Sequence, residues 1–374
     1  MAKHLVLVGA GHAHLAVLLA GADFIARGHR LTLITPSPYF YYSGMGPGML
    51  SGRYAPQEIR FHVRKMAEDR GISVVIDKVN RAAPESNTLI TASGAEIAYD
   101  VVSFNVGSFV PAGLVLEPAP NVFPVKPIDN LLRAKQHLLQ TKKQNPQILV
   151  AGGGAAGFEI CCNLSMLLQK KNLKAHIVLV AGEKLLPRLV EKGRRLAKQV
   201  LDERKVEVLE NAFVNRVEAE CAHLNSGRSI PFYLGFLAVG ILPSPLFRRS
   251  NMTTGPNGGL PVNRYLQNVE YPNMFGAGDC IHFQPRPLDK VGVYAVRQSP
   301  ILRHNLMAAL EGRALQAFQP QEGYLLIYNL GDGRGLFWKD KWVWDGKPAF
   351  YLKEWLDKRF VKKYQVCGER DEPL

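Results

Sequence analysis

Cysteine is scarce in this chain. Of 374 residues only Cys161, Cys162, Cys221, Cys280 and Cys367 are cysteines. Their odd number and the lack of any C-x-x-C pair exclude a disulfide framework and the usual zinc spacings, and fit a reducing compartment. No stretch approaches the roughly 18–20 uninterrupted apolar residues of a spanning helix, so any membrane contact is expected to be peripheral. The apolar N-terminus is broken by His12 and His14 and carries a glycine pattern. It therefore reads as a buried strand entering a helix, not as a targeting segment. An aromatic ribonucleoprotein signature is also missing, so the net charge of +14 does not point to nucleic acid. Nucleotide cofactors or an acidic membrane surface are the anionic company that remains. The expected location is cytoplasmic, either free or peripheral on the inner face of the membrane.

What is present is the composition of a folded protein, 47% apolar and 21% charged. The length exceeds what one core usually serves, which predicts two nested domains and a small appendage. His4 to Val8 is a short apolar run of the kind buried in a parallel sheet. A glycine turn and a helix from about Ala13 to Ala26 follow it, then a strand from Arg30 to Thr35. Residues 36–54 read as a long loop rich in glycine and proline, and long ordered loops at strand ends usually touch something. Short strands fill Gly71 to Ile97, and Tyr99 to Gly107 is another buried strand. The plan then restarts with a strand from Gln147 to Ala151, a turn at Gly152 to Gly157, a helix from Phe158 to Leu168 and a strand from His176 to Ala181. The strand around Phe236 to Gly240 echoes Phe104 to Gly107. Met274 to Asp279 ends in Gly-Asp. From Tyr324 come short aromatic strands and a helix from about Ala349 to Tyr364.

Two glycine loops carry the chemistry. In Gly9-Ala10-Gly11-His12-Ala13-His14, two glycines allow a tight turn and close approach of a pyrophosphate to a helix N-terminus. His14 takes the place of the third glycine, and Thr35 stands where a ribose-binding acid is expected. The other reading of this loop is a sharp strand-to-helix turn. Gly152, Gly154 and Gly157 complete the second fingerprint. Ala181 stands at its ribose position and Glu183 comes two residues late, with Lys184 and Arg188 able to accept a 2′-phosphate, so NADH and NADPH both stay open. In Phe275-Gly276-Ala277-Gly278-Asp279, the carboxylate either accepts a cofactor hydroxyl or closes an Asx turn.

The order GAGHAH, YDVVSFNVG, GGGAAGFE, FLAVGILP, FGAGD resembles the FAD-dependent pyridine-nucleotide oxidoreductases over nearly the whole chain. The stretches YYSGMGPGMLSGRY, DKVGVYAVRQSPILRHNL and WLDKRFVKKY resemble the type II NADH dehydrogenase-like branch. They are most similar to the flavoprotein module found fused to selenide, water dikinase in some proteins, although the kinase is not among these residues. The resemblance implies an α/β fold of two nested Rossmann-like dinucleotide-binding domains, like glutathione reductase, with a C-terminal strand-plus-helix appendage. The implied division is 1–115 and 256–320 for FAD, 116–255 for NAD(P)H, and 321–374 for an interface or membrane surface.

On this resemblance Gly9, Gly11 and Asp279 hold FAD, joined by His12, Ala13, Thr35, Pro47, Gly107, Gly278 and Val293. Gly152, Gly154 and Gly157 admit NADH or NADPH. Glu159 stands near the nicotinamide and flavin, and Lys290 with the following helix faces the flavin pyrimidine edge, where reduced flavin is negative. The plainer readings are a solvated helix acid and a surface lysine. His12 either lies over the cofactor or is a hydrogen-bonded turn residue. Tyr39, Phe40, Tyr41 and Tyr42 wall a quinone or flavin pocket, or fill a core. The C-x4-C dithiol of the disulfide reductases is missing, and Gly153 replaces the reactive cysteine of sulfide:quinone oxidoreductases. Cys161 and Cys162 are read as buried structural residues.

The implied activity is hydride transfer from NAD(P)H to flavin and electron transfer to a quinone-like acceptor. The alternatives are a flavin-binding redox sensor for a partner protein and a soluble flavin reductase or oxidase. On residues 349–364, Leu352, Trp355, Leu356, Phe360 and Tyr364 share a face flanked by lysine and arginine. That face predicts docking on an anionic membrane surface, packing on Trp338, Trp342 and Trp344, or a homodimer contact.

Overall fold

A computed structural model describes residues 1–115 and 119–372. The expected domain junction between 115 and 116 therefore adjoins residues outside the described ones. The strands that matter are β1 (His4–Val8), β2 (Arg30–Thr35), β3 (Ser73–Ile76), β4 (Val101–Phe104) and β5 (Val122–Pro124). They are followed by β6 (Gln147–Ala151), β7 (His176–Gly182), β8 (Glu207–Glu210), β9 (Leu234–Leu237) and β10 (Met274–Gly276). They form two parallel sheets of five, in the orders β10-β4-β1-β2-β3 and β5-β9-β6-β7-β8. The plan is the same twice. In each sheet the strand leading into a glycine loop is central, with the echoing Val-Gly strand on one side and the next strand of the βαβ unit on the other. A ligand crevice is expected where the strand order reverses, outside the carboxyl ends.

Register brings the motifs to those ends. Val8 and Gly276 both pair with Phe104, so the loops at Gly9, Asn105 and Ala277 emerge side by side. In the second sheet Ala151 pairs with Leu237 and Val180, and Leu237 with Pro124. The two sheets are also tied directly, because Ser108–Phe109 pairs antiparallel with Leu242–Pro243. The segments that follow the two echoing strands thus clasp each other.

Three helices frame the crevices: α1 (His12–Leu19), α2 (Ala155–Lys170) and α3 (Gly292–Glu311), with α1 packed along α3. The helix expected over 13–26 is two pieces, because the chain bends at Ala20 and restarts as Gly21–Ala26. A Cβ at Gly21 would lie 2.5 Å from Ile72. The close approach requires glycine there, and glycine weakens a helix interior. The long loop of 36–54 also holds more order than the sequence suggests: Phe40–Tyr41 pairs with Arg60–Phe61, and a buried helix, Gly46–Leu50, packs on α2.

The tail forms a three-stranded antiparallel sheet, Leu326–Asn329, Gly335–Lys339 and Trp342–Gly346, followed by α4 (Lys347–Tyr364). The expected apolar face of α4 is split by the packing. Phe350, Asp357, Val361 and Tyr364 turn inward, whereas Tyr351, Trp355 and Leu356 are exposed at 62%, 56% and 40%. Phe360 packs on His12, Tyr42 and Phe61, so the inward face addresses α1 and the aromatic loop as well as the tail sheet. No helix among the described residues is long and apolar enough to cross a membrane.

Candidate active site

The first glycine loop is built around Asn105, a residue the sequence analysis passed over. Its Oδ1 accepts from the amides of Ala13 (3.0 Å) and His14 (3.3 Å), and its Nδ2 donates to the Ala277 carbonyl at 2.6 Å. Asn105 therefore fastens three sequence-distant loops at one point. It also explains the glycines, since a Cβ on Gly9 would come within 2.7 Å of the Asn105 carbonyl and one on Gly11 would strike its side chain. Gly9 further needs its φ of +84°. With the Ala13 amide engaged, the amide of His12 is the donor left without a partner at the start of α1 among the described residues.

His14 fills the place of the missing third glycine with hydrogen bonds. Its Nδ1 bonds the Gly9 carbonyl at 2.6 Å and its Nε2 the Ser103 hydroxyl at 2.8 Å. Burial lowers its pKa to about 4, so it is a neutral structural imidazole. The hydrogen-bonded turn histidine is thus His14, not His12. His12 sits among Phe40 (5.0 Å), Tyr42 (5.5 Å) and Phe360 (5.6 Å), with a buried Nε2 that has no partner. Burial takes its pKa to about 4 as well. An orphaned polar atom in such a place is costly unless a ligand meets it.

Opposite this loop, Asp279 Oδ2 accepts from Ser108 Oγ and from Lys126 Nζ, each at 2.7 Å. Burial opposes its charge, but Lys126 holds the carboxyl below the usual range. Gly278 takes φ +75° and its amide donates to buried Gln298. The start of α3 lies against this turn, with Ala295 3.2 Å from where a Gly278 Cβ would stand. Val293 lies in the first turn of α3, so dipole and carboxylate share the cradle. Lys290 is not the plain surface lysine of the alternative reading. It is partly buried, donates to the Ile281 carbonyl at 2.6 Å, and has its pKa lowered by burial against the pull of Asp279. Gly107 follows Asn105 with φ +68° and open space at its Cβ position. Thr35 is buried and spends its hydroxyl on the Ser37 carbonyl. Pro47 lies in the buried helix that packs against α2.

The second loop is more open. Gly152 and Gly157 have no room for a Cβ, meeting the carbonyls of Ala238 and Gly152, but nothing lies within 4 Å of a Cβ on Gly154. Gly154 caps α2 without any side-chain cap, and Gly154, Ala155 and Ala156 are exposed, so the start of the helix is open. That is the geometry a pyrophosphate needs. Arg188, one of the two cations noted for a 2′-phosphate, instead pairs with Asp289 at 2.6 Å.

Glu159, on the first turns of α2, accepts from the Asn329 amide at 2.6 Å, and burial pushes its pKa up to about 7. The tail delivers its counter-charge. Against burial, which disfavours the cation, Asp357 and Glu159 hold the Lys353 ammonium above its usual range. Lys353 Nζ donates to Asp357 and to the Gly44 carbonyl, each at 2.8 Å, and Tyr42 donates to the other Asp357 oxygen at 2.9 Å. Lys353 and Asp357 were legible only as members of a basic helix.

All five cysteines are free. Burial raises Cys161 well above its ordinary value and Cys162 to about 12. They are protonated and inert at neutral pH.

Two nested parallel sheets with two glycine loops at their carboxyl ends define a two-dinucleotide protein. Residues 3–300 match the model of the pyridine nucleotide-disulphide oxidoreductases, and the chain belongs to that family. It is an FAD- and nicotinamide-dependent oxidoreductase of that superfamily. A sulfide-quinone reductase of Aquifex aeolicus is 23% identical, with 97% of this chain and 91% of that protein covered. An NADH dehydrogenase-like protein of Mycobacterium tuberculosis is 24% identical over 78% and 77%. Among solved structures, NDH2 of Plasmodium falciparum in complex with NADH superposes with a TM-score of 0.79 at 15% identity, covering 98% of both chains.

Proposed function

We propose that this enzyme is an NAD(P)H:quinone oxidoreductase that works without a thiol relay. A nicotinamide dinucleotide lies on the Gly152–Gly157 loop and FAD on the cradle of Gly9, Gly11, Gly278 and Asp279. The observation that carries the reading is the linked set Glu159, Lys353, Asp357 and Tyr42, which gathers proton-holding groups where both glycine-loop halves and the tail meet. When bound, FAD supplies two-electron transfer between nicotinamide and acceptor. Reducing a quinone to a quinol also takes up two protons. Glu159, poised near pH 7, is suited to deliver one, and Lys353 keeps the neighbouring carboxylates in place.

Anaerobic mixing with NADH or NADPH is expected to bleach the flavin absorbance, and a soluble quinone analogue to restore it. Oxidised absorbance unchanged with both cofactors would remove the reading.

Glu159→Gln should leave reduction by the nicotinamide within a few-fold of the parent and slow quinone reduction by roughly 100-fold, typical for loss of a general acid. The inflection near pH 7 should vanish from the rate profile. Stability gives a second readout. Folding raises this pKa from 4.5 to about 7, so the carboxyl increasingly destabilises the fold as pH rises through that window. Relative to the parent, the glutamine variant should gain up to ~3 kcal/mol at pH 8 and nothing at pH 4. Denaturant midpoints at the two pH values check the sign, and equal shifts at both would refute it.

We further infer that the outer face of α4 rests on an anionic membrane. Exposed Tyr351, Trp355 and Leu356 beside Lys358, Arg359 and Lys362 support this, as an interfacial helix combines such aromatics with cations. Truncation would destroy the site, so the test replaces Trp355 and Leu356 by glutamate in the full chain. The parent should pellet with phosphatidylglycerol vesicles at low salt and the variant should not. Parent protein left in the supernatant would reassign this face, to a dimer contact if it sediments as two copies.

A further inference from the structure

We infer that Lys126 is a positioning residue of the flavin site: it fixes one oxygen of Asp279 so that the other is presented to a hydroxyl of FAD, and it sets a positive charge in the cradle. The inference rests on the flavin reading above. Lys126 follows β5, in the half of the chain that carries the second glycine loop, yet its Nζ reaches Asp279 Oδ2 at 2.7 Å and Ser108 Oγ at 2.8 Å. Ser108 donates to the same carboxylate oxygen. The three groups close a triangle whose corners come from three separate stretches of chain. Asp279 Oδ1 has no partner among the described residues. A carboxylate with one oxygen doubly held and the other free is pre-organised for a single incoming donor, because its rotation is already restricted.

Lys290 does not duplicate this role, since its ammonium is spent on the Ile281 carbonyl. Together with the N-terminus of α3, two cations then outweigh one acid in the cradle. Such a balance favours the more negative, reduced state of a bound flavin. Because Pro124 is in register with Leu237 of the second sheet, the clamp on Asp279 is also carried by the nicotinamide half.

The test uses full-length protein stripped of flavin and titrated with FAD, with flavin fluorescence giving Kd and dye equilibration giving the midpoint potential. Lys126→Met should raise Kd at least tenfold and move the midpoint to a more negative value. Lys126→Arg should restore most of both. Ser108→Ala, which removes a donor but no charge, should weaken FAD while leaving the midpoint in place. Wild-type Kd and midpoint in Lys126→Met would overturn the inference, and so would weakened binding with an unchanged midpoint, which would reduce Lys126 to a structural tie. Failure of the parent to take up FAD would instead overturn the flavin reading itself, and this inference with it.

Discussion

Gly154→Val protein should fold, keep its FAD and lose reduction by nicotinamide at least 100-fold, equivalent to about 3 kcal/mol of transition-state stabilisation. The separation of effects follows from the backbone. Gly154 has φ −76° and ψ −174°, an extended conformation that valine adopts without strain. Nothing lies within 4 Å of the added Cβ, so only a ligand can meet the new methyl groups. Gly157→Val is the contrasting control, because its Cβ would strike the Gly152 carbonyl, and it is expected to be insoluble or unfolded. Single-turnover reduction of the flavin by NADH and NADPH is the measurement. Wild-type rates in Gly154→Val would show that the second loop does not receive the nicotinamide.

Asn105→Ala should destabilise the flavin-free protein by about 3 kcal/mol and weaken FAD binding more than any change at Thr35. Removing the amide strips the Ala13 N–H of its partner, leaves the His14 N–H with the Gly11 carbonyl alone, and leaves the Ala277 carbonyl with only the Cys280 thiol. A buried group left unsatisfied costs about 1–3 kcal/mol, and the two hydrogen bonds lost at His14 and Ala277 add to the cost of the orphaned Ala13 amide. Asn105→Asp separates the two ends of the side chain, keeping an acceptor for the helix amides but losing the donor to Ala277. Denaturant midpoints and FAD titration report both effects. An Asn105→Ala protein with parental midpoint and affinity would mean that the three loops are held by their strands alone.

The sequence showed strands and turns well where the cause is local. Arg30 to Thr35 and Gln147 to Ala151 are strands over the expected residues, because short runs rich in apolar and β-branched residues, ended by Pro36 and Gly152, leave few other options. The second βαβ unit and the echo of Phe104–Gly107 in Phe236–Gly240 correspond to the repeated sheet order. Less was visible in the tail. Period alone placed Trp355 and Leu356 with Phe360 and Tyr364, but a helix of mixed composition turns inward the face that finds partners, here Phe350, Asp357, Val361 and Tyr364. The long loop likewise hid the Gly46–Leu50 helix, which is too short to show a period and is stabilised by packing on α2.

Where the backbone must bend tightly or admit a phosphate, the requirement acts on a few consecutive residues, and glycine records it in the chain itself. That is why both glycine loops and the Gly-Asp turn can be read without coordinates. The partners that complete the site leave no such record. Asn105 reaches Ala277 across 172 positions, Tyr42 reaches Asp357 across 315 and Lys353 reaches Gly44 across 309. Ordinary polar residues acquire these roles when sheet register and tail docking bring them together. Their hydrogen bonds depend on three-dimensional distance, which residue spacing does not encode.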